Sequence, residues 1–116
     1  MDTSCTDAEV HKRGIIETDP VTGRVISFLE KPQATETKSR KQSPCFYLLH
    51  PKHLHRIAEF LDKTKDGPIE ARDASGNFLK YLIENETVYS LTISQRYDVG
   101  GLETYKDCLK AFERKK

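Results

Sequence analysis

The sequence lacks a charge excess, a long apolar run and tryptophan. Its 19 lysines and arginines nearly balance its 18 aspartates and glutamates, which leaves a formal net charge of +1. A dominant electrostatic attraction to nucleic acid or to an anionic membrane is therefore not expected. The longest apolar run, Cys45–Leu49, is far shorter than the roughly 20 residues that cross a bilayer. Residues 1–4 have neither the basic nor the apolar region of a secretory signal. We therefore expect a cytoplasmic protein without nucleic-acid or membrane partners.

The sequence is also poor in cysteine and in metal or nucleophile motifs. Its three cysteines are far apart and form no CxxC pair: Cys5, Cys45 and Cys108. This pattern predicts reduced thiols rather than a disulfide framework or a thiolate zinc site. His50, His53 and His55 are clustered, but on a helix His53 and His55 would lie about 200° apart, which does not suit one metal ion. We expect surface histidines at a helix N-terminus, and no GxSxG nucleophile motif is present.

The length and composition of the chain are sufficient for one globular domain. Its 116 residues are 36% hydrophobic and 32% charged, which fits one globular domain and not two. Residues 1–13 are polar without clear periodicity, and we expect a poorly ordered lead-in there. Residues 14–113 form the predicted domain. It begins with a β-hairpin, because the β-type runs Gly14–Glu17 and Arg24–Leu29 flank the turn residues Asp19–Gly23.

Two further strands and three helices are predicted after the hairpin. Cys45–Leu49 is apolar without alternation, which predicts a strand buried on both faces, although the chain has little further sheet to flank it. Thr87–Ile93 returns to period two and predicts a strand with Tyr89, Leu91 and Ile93 on its buried side. Helical spacing of apolar residues predicts three amphipathic helices. The apolar face of the first is Leu54, Ile57, Ala58 and Leu61, that of the second is Phe78, Leu79, Leu82 and Ile83, and that of the third is Leu102, Tyr105, Leu109 and Phe112. The order β-β-β-α-α-β-α indicates a mixed α/β fold.

The first candidate site lies at the end of the second hairpin strand, in Phe28-Leu29-Glu30-Lys31-Pro32. Glu30 and Lys31 are adjacent, so in an extended chain their side chains point to opposite sides. A ligand lying across the strand end could meet both, with its hydroxyls on the carboxylate and its phosphate on the ammonium. The alternative is a strand end with a solvated ion pair that serves no ligand.

The second candidate site is Asp98, in Arg96-Tyr97-Asp98-Val99-Gly100-Gly101. Paired glycines that open a helix set this carboxylate just beyond a strand end, where ligands of open α/β sheets bind. A carboxylate there is suited to hold Mg²⁺ against a phosphate. From spacing alone, Asp98 fits almost as well as a turn or helix-capping acid.

These sites belong to a longer series of short motifs. The series runs Gly14-Ile15-Ile16-Glu17, Thr22-Gly23-Arg24-Val25, Phe28-x-Glu30-Lys31-Pro32, Phe46-Tyr47-Leu48-Leu49, Gly76-x-Phe78-Leu79-x-x-Leu82-Ile83 and Tyr97-Asp98-Val99-Gly100. In this order the motifs resemble the sugar-1-phosphate nucleotidyltransferases, or NDP-sugar pyrophosphorylases, over most of the chain. The resemblance implies an α/β fold with a partial Rossmann-like mixed sheet and flanking helices. It also implies an enzyme family that joins a sugar 1-phosphate to an NTP, releases pyrophosphate and needs Mg²⁺.

The resemblance assigns a role to each candidate residue. Gly14 resembles the glycine whose backbone lies against the sugar, and Glu30 resembles the acid that binds sugar hydroxyls. Lys31 resembles the lysine that neutralises the sugar phosphate, and Asp98 resembles a metal-binding aspartate. Lys31 and Asp98 are thus the implied catalytic residues, because two anions must approach and a lysine and a metal can offset their repulsion.

The sequence departs from the family pattern in two places. It contains no glycine-rich stretch of the kind that grips the triphosphate in the family. Ser43-Pro44-Cys45 stands where the family has Asn-x-Gly, and Pro44 lacks a backbone donor while Ser43 is a shorter hydrogen-bonding group. We therefore expect the C-terminal, sugar-phosphate-binding part of such a domain, inactive alone. The alternative is a non-catalytic regulatory or interaction module that pairs with a homologous nucleotidyltransferase subunit.

Overall fold

An antiparallel sheet forms the centre of the computed structural model, which describes residues 1–114. Its strands are β1 (Thr3–Ser4), β2 (Gly14–Thr18), β3 (Val25–Glu30) and β4 (Lys41–Gln42). They lie in the order β1-β4-β2-β3, and each neighbouring pair is antiparallel. The long strands β2 and β3 form the predicted hairpin, and the two short strands extend the sheet beyond β2.

The turn of the hairpin follows from its sequence. The Oδ1 atom of Asp19 accepts hydrogen bonds from the backbone N–H groups of Val21 and Thr22, both at 2.8 Å. Gly23 closes the turn with φ +73°, a left-handed conformation that glycine adopts without steric cost. The predicted hairpin is therefore confirmed in its strands and in the residues that make its turn.

Residues 1–13 differ from the poorly ordered lead-in that we expected. This stretch contains β1 and a short 3₁₀ turn that begins at Val10, and both Asp2 and Val10 are almost fully buried. The backbone N–H of Asp2 donates to the carbonyl of Leu91 at 2.9 Å, and its carbonyl accepts from the N–H of Ile93 at 2.8 Å. The structure corrects the prediction because hydrogen bonds to a distant segment, which leave no local periodicity, hold this stretch in place.

The helices are α1 (His55–Thr64), α2 (Glu70–Asp73), α3 (Ser75–Asn85) and α4 (Leu102–Glu113). The longer helices α1, α3 and α4 confirm the predicted helices. Leu79 of α3 packs against the sheet residues Ile16, Val25 and Phe28, and together they form the core. The mixed α/β class is therefore confirmed, with the core between the hairpin and α3.

The first apolar segment (residues 45–49) is not the buried strand that we predicted. It forms no strand in the structure, and the side chains of Phe46 and Leu48 are 63% and 85% exposed. A strand needs a neighbour to complete its backbone hydrogen bonds, and no strand pairs with this segment within residues 1–114. The prediction was wrong because the pattern reports the apolarity of the segment and not the presence of flanking sheet.

The second apolar segment (residues 87–93) is also less regular than predicted. It forms isolated bridges, one to Asp2 and one between Tyr89 and Arg24, rather than a strand. Tyr89 and Leu91, which we placed on a buried side, are exposed. Ile93, the third predicted position, is half-buried, and Val88 from the opposite side packs against the core. The prediction of the buried side was therefore wrong for Tyr89 and Leu91.

The outer helices cover little of the sheet. Phe60 is the buried residue of α1, and α4 has no buried residue among its described positions. The radius of gyration of 16.0 Å exceeds the roughly 13 Å typical of a compact domain of about 100 residues. Among the described residues, no helix combines the length and apolarity needed to cross a membrane.

Candidate functional site

Two glycines shape the end of the hairpin. Gly14, the first residue of β2, pairs with Glu30, the last residue of β3, and Gly76 lies in the first turn of α3. A Cβ atom would stand 2.6 Å from the Phe28 ring at Gly14 and 2.4 Å from it at Gly76. The ring therefore fills the space that side chains at both positions would need. The Glu30 carboxylate lies beside it, with Oε2 3.8 Å and 3.2 Å from the same two Cβ positions.

Glu30 and Lys31 carry unpaired charges at this hairpin end. Both residues are exposed, and within residues 1–114 neither side chain forms an ion pair or a hydrogen bond. Lys31 has φ +47°, and its backbone N–H donates to the Arg13 carbonyl at 2.9 Å. The two charges are therefore not used against each other, and both the carboxylate and the ammonium are available to an external ligand.

Asp98 lies in the loop before α4 and has two partners. Its Oδ1 accepts a hydrogen bond from the N–H of Gly100 at 2.9 Å, which is the turn arrangement that the sequence allowed. Its Oδ2 lies 3.8 Å from Nη1 of Arg13. The Gly100 hydrogen bond, together with the charges of Arg96 and Arg13, lowers the pKa of Asp98. Asp98 is therefore an ionised and partly exposed carboxylate at neutral pH.

A polar cavity of about 310 Å³ lies beside Asp98. Arg13, Gln42 and Arg96 contribute to its wall. Nε of Arg13 and Oε1 of Gln42 are buried and have no hydrogen-bond partner in the described part of the chain. Unpaired buried polar atoms are destabilising, so these two atoms weaken the wall of the cavity.

The structure brings three of the four predicted site residues together. Gly14, Glu30 and Lys31 share the hairpin end, whereas Asp98 lies beside the polar cavity, which neither Glu30 nor Lys31 lines. Arg13 joins the two groups, because its carbonyl accepts from Lys31 and its guanidinium approaches Asp98. Sequence reasoning missed Arg13, and its position directly before Gly14 was the available signal.

The loop after β4 brings Ser43-Pro44-Cys45, the segment that departs from Asn-x-Gly, to the hairpin end, together with Ser75 and Tyr47, which sequence reasoning did not place there. The N–H of Ser43 donates to the Gly14 carbonyl at 2.8 Å, and the hydroxyl of Ser75 donates to Sγ of Cys45 at 3.2 Å. Cys45 has φ +62°, a conformation that favours glycine, so the departure from Asn-x-Gly strains the backbone here. The Tyr47 hydroxyl is buried without a well-placed hydrogen-bond partner among the described residues, and burial raises the pKa of Tyr47.

The metal-binding capacity of the described chain is small. Residues 1–114 contain no group of three or more His, Cys, Asp or Glu side chains that could hold a metal ion. A single carboxylate such as Asp98 would suffice as the protein's contribution to an Mg²⁺ site, because Mg²⁺ usually keeps several waters and takes one or two carboxylates together with substrate phosphates. Two histidines of the cluster face carboxylates elsewhere: Nδ1 of His53 lies 2.9 Å from Oε1 of Glu86, and Nε2 of His55 lies 3.8 Å from Oε1 of Glu59.

Comparisons with known proteins agree with this fold. Residues 4–115 match the family model described as nucleotidyl transferase. The structure is similar to that of a UDP-glucose pyrophosphorylase complexed with UDP-glucose, with a TM-score of 0.71 and 20% sequence identity. The match covers 99% of this chain and 43% of that chain, so this chain spans less than half of the solved protein. Comparison with functionally curated proteins finds no match.

Proposed function

The chain belongs to the nucleotidyl transferase family, and we propose that it is the sugar-phosphate-binding part of a sugar-1-phosphate nucleotidyltransferase domain. Such a domain transfers a nucleotidyl group from an NTP to a sugar 1-phosphate and releases pyrophosphate. The observation that carries the proposal is the hairpin end, where Glu30 faces Gly14 and is followed by Lys31, with both charges unpaired in the described chain.

Glu30 is suited to bind sugar hydroxyls. An ionised carboxylate accepts hydrogen bonds through two oxygens, and hydroxyl groups supply the donors. Since no described side chain uses these oxygens, a sugar does not have to displace an existing partner. Gly14 and Gly76 contribute by leaving space for the Phe28 ring, and a Cβ atom at Gly76 would stand only 3.2 Å from Oε2 of Glu30.

Lys31 is suited to bind the phosphate of the same ligand. Its ammonium is a compact charge on a flexible stem, and it follows Glu30 directly at the strand end. A phosphate held there would leave the sugar hydroxyls within reach of Glu30. In nucleotidyl transfer the lysine would also offset the repulsion between the sugar phosphate and the triphosphate.

Asp98 is the candidate Mg²⁺ ligand. Its ionised carboxylate supplies one oxygen ligand, and the remaining ligands would come from water and substrate phosphates. When bound, Mg²⁺ would neutralise charge on the reacting phosphates. Arg13 links Asp98 to the hairpin end, because its guanidinium lies 3.8 Å from Oδ2 of Asp98 and its carbonyl accepts from the N–H of Lys31.

The proposal includes binding without turnover by the isolated chain. The 116 residues contain no glycine-rich stretch that could hold a triphosphate. Ser43-Pro44-Cys45, in place of Asn-x-Gly, also offers fewer hydrogen-bonding groups to a sugar. We therefore expect weak binding of sugar 1-phosphate and no NDP-sugar synthesis by this chain alone.

Calorimetric titration tests the proposal. The purified chain is titrated with glucose 1-phosphate and with mannose 1-phosphate, each with and without Mg²⁺, and Lys31→Ala is compared with the exposed loop variant Lys38→Ala. Loss of one charged hydrogen bond corresponds to about a tenfold weaker affinity or more for Lys31→Ala, with Lys38→Ala unchanged. Equal affinities of the two variants, or no binding of either sugar phosphate, would contradict the proposal and favour a non-catalytic interaction module.

A further inference from the structure

Lys80 of α3 lies over the Phe28 ring, close to the hairpin end. Its Nζ atom stands 5.9 Å from the ring centroid, which is within the range of a cation–π contact. The tip of the same ring lies between Gly14 and Gly76, because Cζ is 2.6 Å from the Cβ position at each glycine. Lys80 therefore belongs to the same group of contacts as the two glycines and Glu30.

The geometry of α3 directs the Lys80 side chain toward Glu30. Residues four apart lie on one face of a helix, with their Cβ atoms about 5–6 Å apart, so Lys80 shares a face with Gly76. Long helical side chains lean over the turn that precedes their own Cα, and here that turn contains Gly76. Oε2 of Glu30 lies 3.2 Å from the Cβ position at Gly76. Gly76 has no side chain that could separate Lys80 from the Glu30 carboxylate.

The Lys80 ammonium and the Glu30 carboxylate are both unpaired. Within residues 1–114, the contact that Lys80 makes is with the Phe28 ring, and it forms no ion pair or hydrogen bond through Nζ. Both side chains are exposed. A ligand at the hairpin end therefore meets two opposite charges and does not have to break an ion pair in order to bind either of them.

The two charges together suit a pair of neighbouring sugar hydroxyls. An ionised carboxylate can only accept hydrogen bonds and an ammonium can only donate them, whereas a hydroxyl does both. One hydroxyl can donate to Glu30 while the oxygen of the next accepts from Lys80. Hydrogen bonds that involve an ionised group are also stronger than those between neutral groups.

We propose that Lys80 is a further substrate-binding residue, whose ammonium donates to a sugar hydroxyl adjacent to the one that Glu30 binds. This inference rests on the proposed function. It assigns the sugar ring to Glu30 and Lys80 and leaves the phosphate to Lys31. Lys80 thereby favours sugar 1-phosphates that carry two neighbouring free hydroxyls at the Glu30 end of the site.

Calorimetric titration with glucose 1-phosphate tests this role. Lys80→Met removes the charge and keeps an unbranched apolar side chain over the ring. Lys63→Met is the matched control, because Lys63 is also exposed and its Nζ lies 5.1 Å from the centroid of the Tyr81 ring, on α1 and not at the hairpin end. We expect about a tenfold weaker affinity or more for Lys80→Met, no change for Lys63→Met, and partial recovery with Lys80→Arg. Equal affinities of the two methionine variants would overturn the inference.

Monodeoxy analogues of glucose 1-phosphate identify the group that Lys80 contacts. At least one analogue should bind to the wild type and to Lys80→Met with equal affinity, because it lacks the hydroxyl that accepts from Lys80. The same loss of affinity for every analogue would show that Lys80 acts on the phosphate, and would overturn the inference.

Lys31→Ala in the same titrations separates the two proposals. If Lys31→Ala weakens binding and Lys80→Met does not, the role of Lys80 is refuted and the proposed function stands. If the wild type binds no sugar phosphate, the proposed function fails and the role of Lys80 fails with it.

Discussion

The hairpin–α3 layer and the first apolar segment (residues 45–49) contain similar apolar residues, which are buried in the first region and exposed in the second. Leu79 of α3 is 4% exposed, whereas Leu48 of the first apolar segment is 85% exposed. Both lie in apolar stretches that predict burial, but only Leu79 has a sheet beneath it. The difference shows that the hairpin and α3 cover each other's apolar faces, whereas within residues 1–114 no strand or helix covers Leu48.

The sharpest way to break this comparison is to truncate one leucine in each region. Leu79→Ala should lower the free energy of unfolding by about 2–5 kcal/mol, because it leaves a cavity in the core. Leu48→Ala should change it by no more than about 0.5 kcal/mol, as for an exposed site. Urea denaturation of the isolated chain measures both. Equal losses would show that the first apolar segment is packed as firmly as the core.

The next largest effect concerns the packing of Phe28 against glycine. Gly76→Ala would place a Cβ atom 2.4 Å from the ring, and we expect a loss of about 1–3 kcal/mol of stability from overpacking. Gly67→Ala is the matched control, because a Cβ there would stand 3.5 Å from the Thr64 carbonyl oxygen, an ordinary contact. A Gly76→Ala protein as stable as the wild type in thermal denaturation would refute the role assigned to this glycine.

Acid should weaken the hairpin layer through Glu17. Its carboxylate accepts hydrogen bonds from the hydroxyls of Thr37 at 2.6 Å and Ser27 at 2.8 Å, and these bonds lower the pKa of Glu17 below its usual 4.5. Because the unfolded state takes up the proton first, the stabilisation is present above pH 4.5 and is lost as the pH falls below it.

The variant Glu17→Gln isolates this contribution. It should cost about 1 kcal/mol at neutral pH, the value of a typical hydrogen bond, and its stability should fall less steeply than that of the wild type in acid. Glu84→Gln, on the exposed side of α3, should follow the wild-type curve. Thermal melts at a series of pH values measure this, and parallel curves for all three proteins would contradict the account.

The smallest effect should come from the strained backbone beside the candidate site. Cys45→Gly removes a side chain from a residue with φ +62°, and we expect a gain of up to about 1 kcal/mol, because the left-handed conformation penalises a Cβ atom. Cys45→Ala keeps the strain and removes only the thiol, so it should bring no such gain. If both variants are stabilised equally, the thiol and not the backbone is responsible.

Local chemistry explains what the sequence could predict. The turn residues Asp19 and Gly23 set the register of the hairpin, and this register places Gly14 opposite Glu30 with Lys31 at the strand end. Helical spacing identified α1, α3 and α4 for the same local reason. These predictions needed no information from distant parts of the chain.

Long-range contacts explain what the sequence could not predict. Arg13 and Asp98 are far apart in sequence, and their approach depends on the path of the loop before α4. The burial of Asp2 depends on hydrogen bonds to the second apolar segment. An apolar pattern shows where a segment carries apolar side chains. Whether those side chains are buried depends on which other elements pack against the segment in the complete fold.

The most direct test of the central claim is an NMR titration of the isotope-labelled chain with glucose 1-phosphate. If the hairpin end binds the sugar phosphate, the amide signals of Gly14, Glu30 and Lys31 should shift first and saturate together, while those of Leu48 and Leu91 should remain in place. Shifts confined to the two apolar segments around Leu48 and Leu91, or no shift at the hairpin end at saturating ligand, would contradict the account.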